Sequence, residues 1–520
     1  MAHSGGALLA AARTHRADPN APQDSLRMLK YSPLTLVLLL ALPVAEPARA
    51  GRRLGALEFE PCNLAAPGAP TGVEAQCAHV SVPEDRARPD GRRIDLAVAW
   101  VPARRQAEPD PVFLLAGGPG QGARAVYPQL AAAFADLGRT RDVILVDQRG
   151  TGGSNPLSCR DAEGKNAFTD VNDDSVEGAR RFAERCLAEL SAVADVRHYT
   201  TAEAVADLDA VREAIGAAQI NLYGGSYGTR VAQQYAKTYP QHTRAVVLDS
   251  VVPPELVLGS EHARNLDVAL TAQLERCRAD AGCAAQLPDP AASLARVRAR
   301  LAEPGLAPVR YRDPTSGEPR SEAPTPAHLA LLLRLYAYNP QTASLIPALL
   351  SQAEAGDFGL MLAQSRFITG SVGAQIMHGM QLSVSCTEDA DELRSDPADA
   401  GTVLGHEFVE FALAQCAVWP RGRRPADFRA PLTGDVPVLA ISGEFDPVTP
   451  PRYGDAVIGR LPNGRHLVLK GQGHTPLGEG CMPKLFAQFI ETADARGLDA
   501  SCLDRLIAPP PAAGLHAWDP

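Results

Sequence analysis

The chain has 520 residues, 45% of them apolar, and a formal net charge of −10 scattered along its length. No basic stripe speaks for a nucleic-acid partner, so a small molecule or a peptide is the expected partner class. The length exceeds what one ordinary core fills, yet no low-complexity linker divides it. One large domain with a substantial insertion is expected, not a row of separate beads.

Residues 1–50 are read as targeting sequence, not fold. Arg27, Lys30 and Tyr31 precede an apolar run from Leu34 to Leu42, and Ala48-Arg49-Ala50 supplies a small-residue cleavage site. The apolar run is short for a membrane span, so a cleaved secretory signal is expected, with an uncleaved anchor as the alternative. Met28 stands where such a signal should begin, which makes residues 1–27 an upstream extension in this reading. The expected location is secreted or periplasmic, with no stable membrane anchor after cleavage. All ten cysteines follow residue 50. An even count in an exported chain points to disulfides, and none of the spacings is the Cys-x-x-Cys of a zinc knuckle. Sequential pairing closes short loops (62–77, 159–186, 277–283, 386–416, 481–502), although sequence alone leaves connectivity open.

Taken in order, Leu57–Phe59, His79–Val82 and Ile94–Trp100 have the alternation of antiparallel strands, the latter two joined by a turn from Pro83 to Arg93. Val112–Leu115 and Val143–Val146 are continuously apolar, as in a strand covered on both faces. Helical spacing is expected over Tyr127–Leu137 and again over Thr201–Ile215. An apolar run ending at Tyr223 follows, then Gly224-Gly225-Ser226-Tyr227-Gly228, a helix around Val231–Ala236, and a strand at Ala245–Asp249. Alternating strands and helices at this spacing predict an α/β fold with a mostly parallel central sheet flanked by helices. From 255 to 400 the pattern is helical, with no buried strand of comparable quality, and reads as a helical cap inserted after the strand at 245–249. Strand rhythm returns at Val436–Ile441 and His466–Leu469, and a last helix is expected over Met482–Thr492. The expected organisation is therefore core at 51–254, cap at 255–400, core again at 401–500, and an irregular tail at 501–520.

The Gly-x-Ser-x-Gly between a strand and a helix has the form of a nucleophile elbow, which makes Ser226 the candidate nucleophile. Serine needs a base to take its proton and a third group to hold the base, and in this arrangement the acid and then the histidine follow on later strand ends. Asp446 ends the strand at 436–441 in a loop shaped by Gly443, Pro447 and Pro450, and is preferred to its neighbour Glu444. His474, between Gly473 and Thr475 after the next strand, is the candidate base. A tetrahedral intermediate needs backbone donors. The N–H of Tyr227 is one, and the Gly117-Gly118-Pro119-Gly120 loop supplies the other, from Gly118 first and Gly117 as the alternative. Arg149 is expected to order its loop, not to react. The chemistry requires no cofactor and no metal.

Ala116-Gly117-Gly118-Pro119-Gly120, Asp147-Gln148-Arg149-Gly150-Thr151-Gly152-Gly153-Ser154, the Ser226 elbow, Asp446-Pro447-Val448-Thr449-Pro450 and Gly473-His474 together resemble the prolyl aminopeptidase family of α/β-hydrolases. The likeness is strongest to its exported tripeptidyl aminopeptidase branch, which Tyr199-Thr200-Thr201, Tyr338-Asn339-Pro340 and Cys386-Thr387-Glu388-Asp389 also resemble. Ala116 departs from the histidine usual before the glycines in prolyl enzymes, which favours the tripeptidyl branch. The resemblance implies an α/β-hydrolase fold and hydrolysis of peptides from a free N-terminus through an acyl-enzyme. Holding the substrate ammonium then calls for a carboxylate, for which Glu388 and then Asp389 are the candidates, against an ordinary exposed acidic run. Two other classes remain: a carboxylic ester hydrolase with the same triad, and a non-catalytic binding module. The last normally lacks a triad member, and all three candidates are here.

Overall fold

The structure, a computed structural model, describes residues 51–65, 72–161, 164–167 and 175–512. The expected signal peptide and residues 513–520 of the expected tail lie outside the described residues.

Runs of apolar residues with no polar side can be satisfied only in strands with protein on both faces, and these runs form the centre of the molecule. The strands are β1 (Arg52–Leu54), β2 (Leu57–Leu64), β3 (Val73–Pro83), β4 (Arg93–Val101), β5 (Val112–Leu115), β6 (Val143–Val146), β7 (Ile220–Gly225), β8 (Thr243–Asp249), β9 (Val309–Arg312), β10 (Pro319–Glu322), β11 (Val438–Gly443) and β12 (Gly464–Leu469). All but β9 and β10 form one ten-stranded sheet in the order β1-β2-β3-β4-β6-β5-β7-β8-β11-β12. The pairs from β1 through β4 to β6 are antiparallel, and the six strands from β6 to β12 run parallel. The chain is an α/β fold of the expected kind.

The two-residue side-chain period divides the core. Phe113 and Leu115 of β5 join the apolar cluster on one face, with Val205, Leu208 and Val211 of the helix Thr201–Ala214 and Val231 and Tyr235 of the helix Tyr227–Thr238. Val112 and Leu114 point to the other face, where Phe486 and Phe489 of the helix Met482–Thr492 close over Phe134 and Tyr223. The buried strands placed by continuous apolar runs are where the sequence predicts them.

Two differences have physical causes. The helix expected over 127–137 spans Ala123–Leu130 instead. Pro128 lies inside it and cannot donate to the carbonyl four residues back, and the helix ends two residues later. The helical region after β8 also contains the hairpin β9–β10, whose four-residue strands bury only one residue, Tyr311, and so carry no buried-strand signature.

The helices between 262 and 375 share a separate apolar cluster, from Leu266 through Leu332 and Leu350 to Leu362. The helix His378–Glu388 does not belong to it. Its Met380, Leu382, Val384 and Cys386 pack in the main core, so the chain is back among core residues earlier than position 400.

All ten cysteines are paired, in sequential order: Cys62–Cys77, Cys159–Cys186, Cys277–Cys283, Cys386–Cys416 and Cys481–Cys502. Among the described residues no helix is long and apolar enough to cross a membrane. Cross-links of different span test the chain-entropy account. Cys159–Cys186 is separated by 27 residues and Cys277–Cys283 by 6. Loop closure then assigns about 3.5 kcal/mol to the first and about 2 kcal/mol to the second. The double Ser variant at 159 and 186 should therefore melt at a lower temperature than the double Ser variant at 277 and 283. Equal midpoints by calorimetry would refute this order.

Candidate active site

β7 ends at Gly225 and a helix begins at Tyr227, which leaves Ser226 as the single residue of the turn, at φ 54° and ψ −123°. A positive φ is uncommon for serine and is held here by neighbours. The Ser226 N–H donates to the Asp249 carbonyl at 2.8 Å, and its own carbonyl accepts from the N–H and hydroxyl of Thr229. The loop after β5 passes directly beside it. A side chain on Gly117 would meet Ser226 Cβ at 3.2 Å and the Gly225 carbonyl oxygen at 3.2 Å, so one would fit only if these neighbours gave way. Gly118 follows at φ 108°. Tyr227 is the first residue of its helix, a position whose N–H has no partner within the helix.

β11 and β12 lie beyond β8, and the loops at their carboxyl ends bring two more groups to the same edge of the sheet. Asp446 Oδ2 is 2.8 Å from His474 Nδ1, both side chains being buried. Asp446 is held by further donors: Val448 N–H and Thr449 N–H on Oδ1, and the Thr449 and Ser250 hydroxyls on Oδ2, all within 2.9 Å. Burial by itself would push this carboxyl up. His474 and the donated bonds outweigh burial and hold it below the usual carboxylate range. With Nδ1 engaged, Nε2 is the ring nitrogen left for proton transfer. Glu444 is turned elsewhere and accepts the Gly471 N–H at 2.8 Å. His466, on β12, bonds Asp455 and Ser442.

Several supporting residues escaped sequence reasoning. Ser250 bridges Asp446 and the His474 loop, donating to Asp446 and accepting the Thr475 N–H at 2.7 Å. The Asp446-Pro447-Val448-Thr449 spacing carried a signal for Thr449, since an aspartate commonly accepts N–H bonds two and three residues on. Tyr338 had no local signal as a neighbour of the base. Its carbonyl accepts the His474 N–H at 2.7 Å, and its ring meets the imidazole edge to face at 4.8 Å.

Glu388 and Asp389 require correction. Each is 1% exposed and already partnered, so neither presents an open carboxylate to an ammonium group. Asp389 accepts from Arg230, Arg429 and the Leu258 N–H. Glu388 accepts the Thr201 N–H at 2.7 Å and the Thr201 hydroxyl at 2.9 Å, with Arg230 3.7 Å away. Nor do these two positions belong to an exposed acidic run, since both are buried. Burial pushes the Glu388 carboxyl up to about 7 against the pull of Arg230. Arg149 has the expected ordering role: fully buried, it makes a two-pronged pair with Asp207 and donates to the carbonyls of Glu84 and His198.

The sequence model of the α/β hydrolase fold matches residues 110–480, well over half of the chain. The chain belongs to the α/β-hydrolase family. It is a serine hydrolase, with Ser226 in the elbow and the His474–Asp446 pair on the later strand ends. It is similar to serine protease Hip1 of Mycobacterium tuberculosis, 26% identical over 466 residues that cover 84% of this chain and 88% of that one. It is likewise similar to tripeptidyl aminopeptidase of Streptomyces coelicolor, 26% identical over 502 residues, 89% of this chain and 88% of that one. Among solved structures, a proline iminopeptidase from Mycobacterium smegmatis covers 80% of this chain and 99% of its own, at 18% identity and a TM-score of 0.37.

Beside the site, Asp249 lies fully buried at the end of β8, accepting from the Tyr223 hydroxyl and the Leu477 N–H, while its Oδ1 has no hydrogen-bond partner. Burial pushes its carboxyl from 3.8 to about 7. A carboxyl whose folded value lies above its unfolded one contributes stability that is complete below the unfolded value and lost as pH rises through the folded one. Asp249→Asn has no proton to lose. Its stability relative to wild type should therefore rise between about pH 4 and pH 7, by at most about 1.4 kcal/mol per pH unit. Thermal unfolding at several pH values checks this, and a constant difference would exclude it.

Proposed function

We propose that the protein is an exported serine aminopeptidase that hydrolyses peptides from a free N-terminus, in the manner of a tripeptidyl or prolyl aminopeptidase. Ser226 Oγ attacks the scissile carbonyl while His474 Nε2 takes its proton, and Asp446 stabilises the imidazolium that forms. The N–H groups of Tyr227 and Gly118 receive the developing oxyanion, with Gly117 as the alternative to Gly118. Collapse of the intermediate breaks the C–N bond, and the imidazolium returns its proton to the leaving amine. Water then attacks the acyl-enzyme by the same route and releases Ser226.

The similarity to the Streptomyces coelicolor tripeptidyl aminopeptidase over 89% of this chain carries the peptidase part of this reading, together with the serine-hydrolase site. Export is supported by five disulfides, which persist in oxidising compartments. The helical region after β8 acts as the cap that limits the length of peptide admitted.

One observation favours a second reading. The two carboxylates expected to hold the ammonium are committed to arginines and to Thr201, so the amine anchor lies elsewhere if it exists. Without an anchor, the same triad serves a carboxylic ester hydrolase. Cleavage of a tripeptidyl anilide against its N-acetylated form separates the two. The aminopeptidase should lose at least about tenfold in kcat/KM on acetylation, given the strength of a charge-assisted contact. Equal rates would leave the esterase reading. Ser226→Ala should abolish both activities.

A further inference from the structure

Both carboxylate oxygens of Glu388 accept from Thr201, which lies far from it in the chain. Thr201 opens the helix Thr201–Ala214, and the Glu388 carboxylate accepts its N–H at 2.7 Å, as a helix cap would. The second carboxylate oxygen continues further. The Thr201 hydroxyl donates to Glu388 Oε2 at 2.9 Å and lies 2.6 Å from the Tyr227 hydroxyl. Gln148 Nε2 in turn donates to that hydroxyl at 3.2 Å. Gln148 belongs to the Asp147-Gln148-Arg149-Gly150 motif, whose glutamine the triad chemistry leaves unused.

The direction of this chain of bonds is fixed by its two ends. An amide Nε2 only donates, and an ionised carboxylate only accepts. The Tyr227 hydroxyl must then donate to Thr201, and Thr201 to Glu388, so every hydroxyl proton is assigned once. Thr201, Tyr227 and Glu388 are each no more than 1% exposed, so water does not compete for these bonds. Arg230, on the same helix as Tyr227, stands 3.7 Å from Glu388 and favours its charged form. The relay thus grips the far end of the Tyr227 side chain, while the Tyr227 main chain carries the N–H beside Ser226.

We propose that Glu388 is a positioning residue for the reaction, acting through the Thr201 and Tyr227 hydroxyls to fix the Tyr227 N–H that receives the oxyanion. This rests on the serine-hydrolase reading and not on the choice between peptide and ester. A helix cap alone needs only the bond to the Thr201 N–H, which Tyr227→Phe and Thr201→Val both leave in place. The two roles therefore part company in kinetics.

The test is hydrolysis of a p-nitrophenyl ester by the full-length protein at about pH 8.5, above the Glu388 value. The ester carries no amine, so an acetylation result that removes the aminopeptidase reading leaves this test intact. Tyr227→Phe, Thr201→Val and Glu388→Gln should each lower kcat about tenfold, a part of what losing an oxyanion donor outright removes, with KM shifted less than about twofold. Tyr227→Phe combined with Glu388→Gln should fall no lower than the worse single variant, because both break one relay. Thr201→Ser should restore kcat to within about twofold of wild type, since it keeps the hydroxyl. If Glu388→Gln does not fold, Tyr227→Phe and the Thr201 pair decide alone. Wild-type kcat in Tyr227→Phe or Thr201→Val overturns the proposal, as does a double variant that shows the product of the two single losses.

Discussion

The backbone of Ser226, at φ 54° and ψ −123°, is a conformation that costs on the order of 1–3 kcal/mol and persists only where the surroundings fix it. Both neighbouring strands do so. β8 supplies the Asp249 carbonyl that accepts the Ser226 N–H. β5 comes so close that a side chain on Gly228 would lie 2.2 Å from the Leu115 carbonyl oxygen. The helix can therefore start at Tyr227 only because residue 228 has no Cβ. Once that approach is made, other placements follow. The end of β5 delivers the Gly117–Gly118 loop beside the serine, and the ends of β11 and β12 deliver Asp446 and His474 to the same edge. The parallel order of these strands is what aligns their carboxyl ends.

Three buried carboxylates near this edge show how surroundings, not residue type, divide the roles. Asp446 receives bonds from two main-chain N–H groups, two hydroxyls and His474, and stays below the usual range despite burial. Asp249 receives two and has one oxygen without a partner, so burial dominates and it rises to about 7. Glu388 receives two bonds from Thr201 and lies close to Arg230, yet burial again prevails. Only the first environment keeps a negative charge reliably against an imidazolium, the work the acid of a triad must do.

Much of this was legible in the sequence because it is written in local pattern. Continuous apolar runs placed β5, β6 and β7, and glycines with a serine between a strand and a helix placed the elbow. Loop position at the later strand ends favoured Asp446 over Glu444 as the candidate acid, and the structure pairs Asp446 with His474. What was not legible depends on residues far apart in the chain. Nothing around Tyr338 signals that its carbonyl meets His474, and nothing around Cys386-Thr387-Glu388-Asp389 signals Arg230. An acidic pair without visible partners invites a ligand. Here two of the partners, Arg230 and Thr201, sit more than 150 positions away. The short hairpin β9–β10 was missed for a different reason, since four-residue strands that bury only one residue carry too little apolar contrast to stand out among helices.

The region between β8 and β11 touches each part of the site by a separate bond. Tyr338 accepts the His474 N–H, Met377 donates to the Gly120 carbonyl of the glycine loop, and Glu388 and Asp389 grip Thr201 and Arg230 behind the elbow. A cover hinged to swing freely would break the first of these bonds on opening and release the loop that carries His474. The bonds to Glu388 and Asp389 lie among buried groups, where water does not replace them. The His474 loop, the Gly117–Gly120 loop and the elbow are then positioned partly by a region that the strand pattern leaves outside the sheet core. A change in that region therefore reaches His474 and Tyr227 through these contacts.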